Sequence, residues 1–498
     1  MKKKYRTFKL WPVVGVVSVI LVIGIGIFFY HNFFRQYNAD LVETVPSDAS
    51  FIFQINDNDA FIKNSSSVLP YLDEIFCMSA LPGFEFIMEK FPGRTPVIIS
   101  CHHNGDKSQL LLSANISEAA FRELLSALKI DNRNFIPFDK VKIYSYGTHY
   151  KKFSFSFHNN VFTVSEDIEL LKKSIVQLKH PRNLLANKEF SSLYQLISKN
   201  AKQNWLILNH ANFFEQNKHF IRSSYHDVLV NISKASEWSA FQIRFADKEI
   251  MLAGYTLNDS SFYNKFKDQV NSPGNPDVVI PFTSSFYCIS KTPYPQKFIS
   301  GFPAGNEAKL QAALKAYELI QPESTTLFTL EKDSTRLYYL VMALDTNRIK
   351  PQTFLPDSLL PEHKIIHQQQ TIYKTRLTDF NALLSDGIHQ DASLNYYVEY
   401  KGYYIFSDTV TTLQYYLNRI VQNSFANQPL YRFSKANLPS ENIFEFCFLF
   451  PDQQDKAGEY FSKESLNTQT VKDIQIFSGS FSVPENRYVP MNLYLKFR

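Results

Sequence analysis

The chain has 498 residues, with 52 Lys plus Arg against 47 Asp plus Glu. Five of the basic residues, Lys2, Lys3, Lys4, Arg6 and Lys9, precede residue 10, and no acidic residue does, so the rest of the chain is neutral and lacks the electrostatic footprint of a nucleic-acid binder. Aromatic residues make up 15% and only 15 residues are glycine, which suits broad sheets with bulky faces better than a glycine-looped nucleotide site.

Leu10–Tyr30 is uncharged. As a helix it reaches ~31 Å, enough to cross a bilayer's hydrocarbon core. The basic residues before it and the acidic Asp40, Glu43 and Asp48 after it predict a cytoplasmic N-terminus and an outward-facing remainder. The run is too long for a signal-peptide core and ends in aromatic rather than small residues, so an uncleaved signal anchor is expected. The expected layout is a basic tail (1–9), a transmembrane helix (10–30), a juxtamembrane segment (31–44), a first repeat (45–270), a linker (271–279) and a second repeat (280–498).

The two repeats are read from collinear matches. Ser165 aligns with Ser407, and Ile168, Leu171, Ile175 and Leu178 align with Val410, Leu413, Leu417 and Ile420, one apolar helix stripe in each copy. A serine before each stripe predicts the helix cap. Upstream, Phe153, Phe155 and Phe157 lead to a turn at Asn159–Asn160, and Tyr396, Val398 and Tyr400 to one at Lys401–Gly402. Ser50 aligns with Ser285, Asn204 with Asn442, Trp238 with Phe477 and Tyr255 with Tyr494, all with offsets between 235 and 242. The stretches around Val97–Ser113 and Leu327–Val341 read as strand pairs but align poorly. The cluster Asn271–Asp277, with its prolines and glycine, marks the boundary. The expected fold is α+β: an N-terminal transmembrane helix followed by two similar antiparallel-sheet-plus-helix halves, an internal duplication with helices on one face. No Gly-rich βαβ unit is present, which excludes Rossmann and P-loop readings.

At Val45-Pro46-Ser47-Asp48-Ala49-Ser50-Phe51, followed by the turn Asn56–Asp59, the chain resembles a family of functionally uncharacterised bacterial envelope proteins with an N-terminal anchor and a V/L-P-x-D-A lead-in to the ectodomain. The resemblance implies an inner-membrane protein facing the periplasm and brings no catalytic residues. Thr283 stands in the second half where Asp48 stands in the first, which reads as a turn former.

Chemical motifs are sparse. Cys101-His102-His103 precedes Asn104–Gly105, a hairpin-turn signal, and reads as two histidines beside a surface turn. Glu362-His363 with His367 has the wrong order for a zinc helix, and Asn56–Asp59 lacks the glycine and glutamate of a calcium loop, so a helix cap is expected there. Of the cysteines Cys77, Cys101, Cys288 and Cys447, three sit in strand-like runs as small apolar side chains, and a Cys77–Cys101 disulfide stays open. No G-x-S-x-G motif occurs. No catalytic, cofactor or metal residue is therefore assigned, and the only residues with a set role are the topology-determining Lys2, Lys3, Lys4, Arg6 and Lys9. The expected function is a non-catalytic binding or scaffold ectodomain whose partners are the membrane and an envelope protein or lipid. The alternatives are a protein binding an apolar ligand such as an acyl chain, suggested by aromatics on both faces of Tyr403–Phe406, and an unrecognised hydrolase.

Overall fold

A computed structural model describes residues 40–76, 91, 95–104, 107–131, 133–147, 152–179, 183–198, 203–223, 226, 230, 233, 236–258, 276–290, 322–333, 335–344, 364–375, 394–450 and 461–498. Among the described residues twenty strands form one antiparallel sheet. Ten come first: β1 (Ala49–Ile55), β2 (Val97–Asn104), β3 (Lys107–Asn115), β4 (Ile136–Phe138), β5 (Val141–Gly147), β6 (Lys152–His158), β7 (Val161–Ser165), β8 (Trp205–Asn209), β9 (Trp238–Ala246) and β10 (Glu249–Leu257). Ten follow: β11 (Phe286–Ser290), β12 (Ser324–Lys332), β13 (Thr335–Ala343), β14 (Lys364–His367), β15 (Gln370–Lys374), β16 (Tyr396–Tyr400), β17 (Tyr403–Ser407), β18 (Phe444–Leu449), β19 (Ile474–Phe481) and β20 (Tyr488–Phe497).

The pairings run β4-β5-β6-β7-β3-β2-β1-β8-β9-β10 in the first set. In the second set they run β14-β15-β16-β17-β13-β12-β11-β18-β19-β20, the same order. A transverse row fixes equivalent residues: Val164–Leu112–Ile99–Phe53–Leu206–Phe241–Gly254 in one set matches Phe406–Leu340–Leu327–Cys288–Phe446–Gly479–Leu493 in the other. The row coincides with the alignments at Ser165/Ser407, Ser50/Ser285 and Tyr255/Tyr494. It moves the partner of Asn204 by two residues, and that of Trp238 by one, to Ile476. Along β2 and β3 the offset falls to 228, as between Ile99 and Leu327, which is why that stretch aligns poorly in sequence.

The expected architecture needs correction on three points. First, the two halves do not carry two sheets but share one. Strand β10 pairs with β20 over nine residues, with Ala253 opposite Asn492, so the two sets make one sheet. Second, helices lie on both faces. Helices α1 (Asn58–Ser65), α2 (Leu69–Phe76), α3 (Glu118–Ala127) and α6 (His210–Asn217) pack on the face carrying Phe51, Phe53 and Ile99. On the opposite face lie α4 (Ile168–Lys179) and α5 (Lys188–Ser198) in the first set, and α7 (Val410–Ile420) and α8 (Pro429–Ala436) in the second. Burial on both sides explains why β1 and β7 read as continuous apolar or small runs rather than as alternation. Third, no transmembrane helix is found: no helix among the described residues is long and apolar enough to cross a membrane, and Leu10–Tyr30 lies outside them.

The first core also crosses the boundary. Tyr71 of α2 stacks on Phe497 at 3.9 Å and donates to Asp473 at 2.8 Å. The Glu74 carboxylate accepts from the Gln469 and Thr470 amides at the start of α9 (Gln469–Asp473), at 2.8 and 2.6 Å, satisfying orphan donors of a helix in the other set. The cap of α4 is Asp167, which accepts from the Glu169 and Leu170 amides. Ser165 instead donates to the Leu110 carbonyl at 2.8 Å, and Ser407 makes the same bond to the equivalent Tyr338 at 2.9 Å. Those two serines tie each helix-bearing hairpin to the sheet.

Candidate functional site

The most chemically suggestive cluster comes from the residues read as a surface turn and a turn former. Ser100 and His102 are two apart on β2, so both side chains leave the same face. Asp48 occupies the tight turn that leads into β1, opposite this end of β2. His102 Nδ1 lies 2.7 Å from Asp48 Oδ1, and Ser100 Oγ lies 2.9 Å from His102 Nε2. Because an ionised carboxylate only accepts, Nδ1 carries the proton and Nε2 accepts from the Ser100 hydroxyl. Lys173 of α4 adds an ammonium 3.1 Å from Asp48 Oδ2. The hydrogen bond from His102, helped by Lys173, holds the Asp48 carboxyl far below the usual carboxylate range. Burial lowers the His102 pKa against the pull of Asp48, so the imidazole is neutral near pH 7.

Order and distances are those of a serine–histidine–aspartate relay. Access is reversed. Ser100 is fully buried and the His102 side chain is 3% exposed, whereas the Asp48 side chain is 46% exposed. A nucleophile must meet a substrate carbonyl, and here solvent reaches the carboxylate end while the hydroxyl end is sealed. The set can hold a neutral imidazole and satisfy three polar groups; it cannot present an attacking oxygen.

The other half supplies an internal comparison. Ser100 and His102 correspond to Phe328 and Leu330, both fully or almost fully buried, and Asp48 to Thr283. The fold accepts apolar filling at these strand positions. A second buried polar set shows the reverse. Glu445 on β18 is fully buried and accepts from Tyr287 at 2.5 Å, Lys435 at 2.5 Å and Asn442 at 3.0 Å. Its strand equivalent in the first half is Trp205, and that of Tyr287 is Ile52. Beside it, burial pushes the Cys447 thiol well above its ordinary range, which leaves it a protonated, inert side chain.

A third feature lies on the face that carries the first core. In the first half Phe51 and Phe53 are sealed beneath Phe61, Phe76 and Phe213. Their equivalents Phe286 and Cys288 are half-buried, as are Phe444, Phe446 and Phe448 along β18 and Phe477 on β19. These rings form a continuous row: Phe286 and Phe448 are 4.6 Å apart, and Phe446 and Phe477 are 5.2 Å apart. Gly479 makes room for it, since a Cβ there would come within 2.8 Å of the Phe446 ring.

The remaining sequence candidates fall as follows. Lys2, Lys3, Lys4, Arg6 and Lys9 lie outside the described residues, as do Cys77, Glu362 and His363. Cys101 is buried, with its Sγ 3.4 Å from Gln216 Nε2. His102 is buried rather than beside a surface turn. His367 meets Asn418 at 2.9 Å, and Asp57 caps α1 through the Ala60 amide. Among the described residues no three His, Cys, Asp or Glu side chains are grouped to hold a metal ion. A charged residue inside the apolar run of β18 was the signal that could have flagged Glu445; the pairing of Asp48 with a histidine 54 positions away had none.

No protein-family model matches the chain, and no curated protein does. Two solved structures are similar at 10% identity: crystal form I of TP0453, covering 77% of this chain and 99% of that one with a TM-score of 0.24, and crystal form III, covering 78% and 99% with a TM-score of 0.21. Scores this low carry no argument about fold or function.

Proposed function

We propose that this chain is a non-catalytic envelope protein, associated with the membrane through its N-terminal stretch, that binds an apolar ligand of the acyl-chain class on the aromatic row of its second half. The observation that carries the reading is the contrast between equivalent positions: Phe51, Phe53 and Leu206 are sealed, while their counterparts Phe286, Cys288 and Phe446 stay half-buried. Aromatic side chains left partly open in a continuous row are the usual lining of an apolar binding surface. The reversed access of Ser100, His102 and Asp48 weighs against the hydrolase alternative. The membrane assignment is supported by the basic residues before the uncharged stretch Leu10–Tyr30.

The test is photolabelling of the full-length protein with a diazirine-bearing fatty acid. Label is expected in peptides spanning 444–448 and 474–481, reduced at least about fivefold in Phe446→Asp, since a buried carboxylate disfavours an acyl chain strongly. Label spread evenly over the chain, or unchanged in the variant, would overturn the reading.

A further inference from the structure

The two ends of the sheet are equivalent strands, β4 and β14, and they differ at one backbone position. Each opens a hairpin closed by two residues with positive φ, Asp139–Lys140 (45° and 63°) and Gln368–Gln369 (46° and 63°). In such two-residue hairpins the flanking pair exchanges hydrogen bonds and the next residue outward turns its amide away from its partner strand. That residue is Pro137 in β4 and Ile366 in β14. Pro137 has no N–H to offer and blocks its edge. Ile366 has one, and the residue is 77% exposed beside Ile365 at 37%. Among the described residues β14 pairs with β15 alone.

We propose that β14 is a docking edge for a second copy of this chain, paired antiparallel about a two-fold axis through Ile365. The chain already joins its equivalent ten-strand sets this way at the other end, where β10 and β20 pair antiparallel about Ala253 and Asn492. In the proposed register the outward amides of Lys364 and Ile366 bond with Ile366 and Lys364 of the partner subunit, and Ile365 faces Ile365 of the partner subunit. Lysine then lies opposite isoleucine, so no like charges meet. The proposal does not depend on the acyl-chain reading. Four residues bury far less than the roughly 1,600 Å² of a standard interface, so the association is weak and is best trapped.

The experiment is oxidative cross-linking of the full-length protein in detergent, carrying Ile365→Cys. Facing residues in a non-hydrogen-bonded antiparallel pair have Cα atoms about 4.5 Å apart, within disulfide range. A linked dimer is expected for Ile365→Cys, with none for the parent chain or for Ile136→Cys at the blocked edge. Adding Ile366→Lys places like charges opposite each other and lowers the linked yield at least about fivefold, whereas Ile366→Glu, opposite a lysine, keeps it. Thermal unfolding of each variant checks that the fold is retained. No linked dimer, equal linking at both edges, or equal loss with either charge would overturn the proposal.

Discussion

At the scale of single residues, the molecule spends its buried polar groups unevenly. His102 is held neutral between Asp48 and Ser100 in one half, and Glu445 is held among Tyr287, Lys435 and Asn442 in the other, each where the sister half carries apolar side chains. The histidine has a readable consequence. Its folded pKa is depressed by burial below 6.5, so the unfolded chain binds the extra proton first, and the stability this site contributes is full above pH 6.5 and lost as pH falls below it. Asp48, also depressed, gives up its share only below 3.8. His210, lowered to about 4 by burial, adds a slope of the same sign between 6.5 and 4. Urea unfolding of the parent chain is therefore expected to weaken from pH 7 to 5. His102→Leu, which copies Leu330, should show a smaller loss over that window; an unchanged slope would contradict the assignment. None of this was readable from the local sequence: Cys101-His102-His103 was expected beside a surface turn, and only the pairing of β1 with β2 brings Asp48 to the ring.

Individual strands and helices were more legible than their surroundings. The apolar stripes of α4 and α7 and the hairpins closing on Asn159–Asn160 and Lys401–Gly402 were visible because period and turn chemistry are local properties. Helix placement on both faces was not, since a strand such as β1, covered twice, loses the alternation that would mark its inner side. The alignment slipped by two residues at β8 because short apolar strands match in several registers, and only the ladder discriminates. The joining strand also carries a requirement no pattern could reveal. Gly254 sits where a Cβ would lie 2.0 Å from the Ala240 carbonyl oxygen, backbone that cannot yield without shifting β9. Gly254→Ala is expected to cost about 3 kcal/mol in denaturant unfolding, whereas substitution of Gly402, which has open space but a φ of +80°, should cost about 1 kcal/mol. Equal effects at the two glycines would remove the close-approach argument.

For the whole molecule, the decisive feature is that the two sets are fused. Repetition of blocks was legible because equivalent residues kept their chemistry, but the sharing of one sheet was not, as β10 and β20 look like ordinary closing strands until their partners are known. On this common frame the halves differ: Phe51 and Phe53 are sealed under Phe61, Phe76 and Phe213, while the corresponding Phe286 and Cys288 are half-buried. The fusion of the two sets rests on the register of the β10–β20 junction. The direct test is to replace Ala253 and Asn492 by cysteine in one chain and measure intramolecular disulfide formation under mild oxidation. Rapid linking of this pair, with much slower linking when the second cysteine is moved to position 488, is the result expected; linking that favours position 488, or none at either, would contradict the fused sheet.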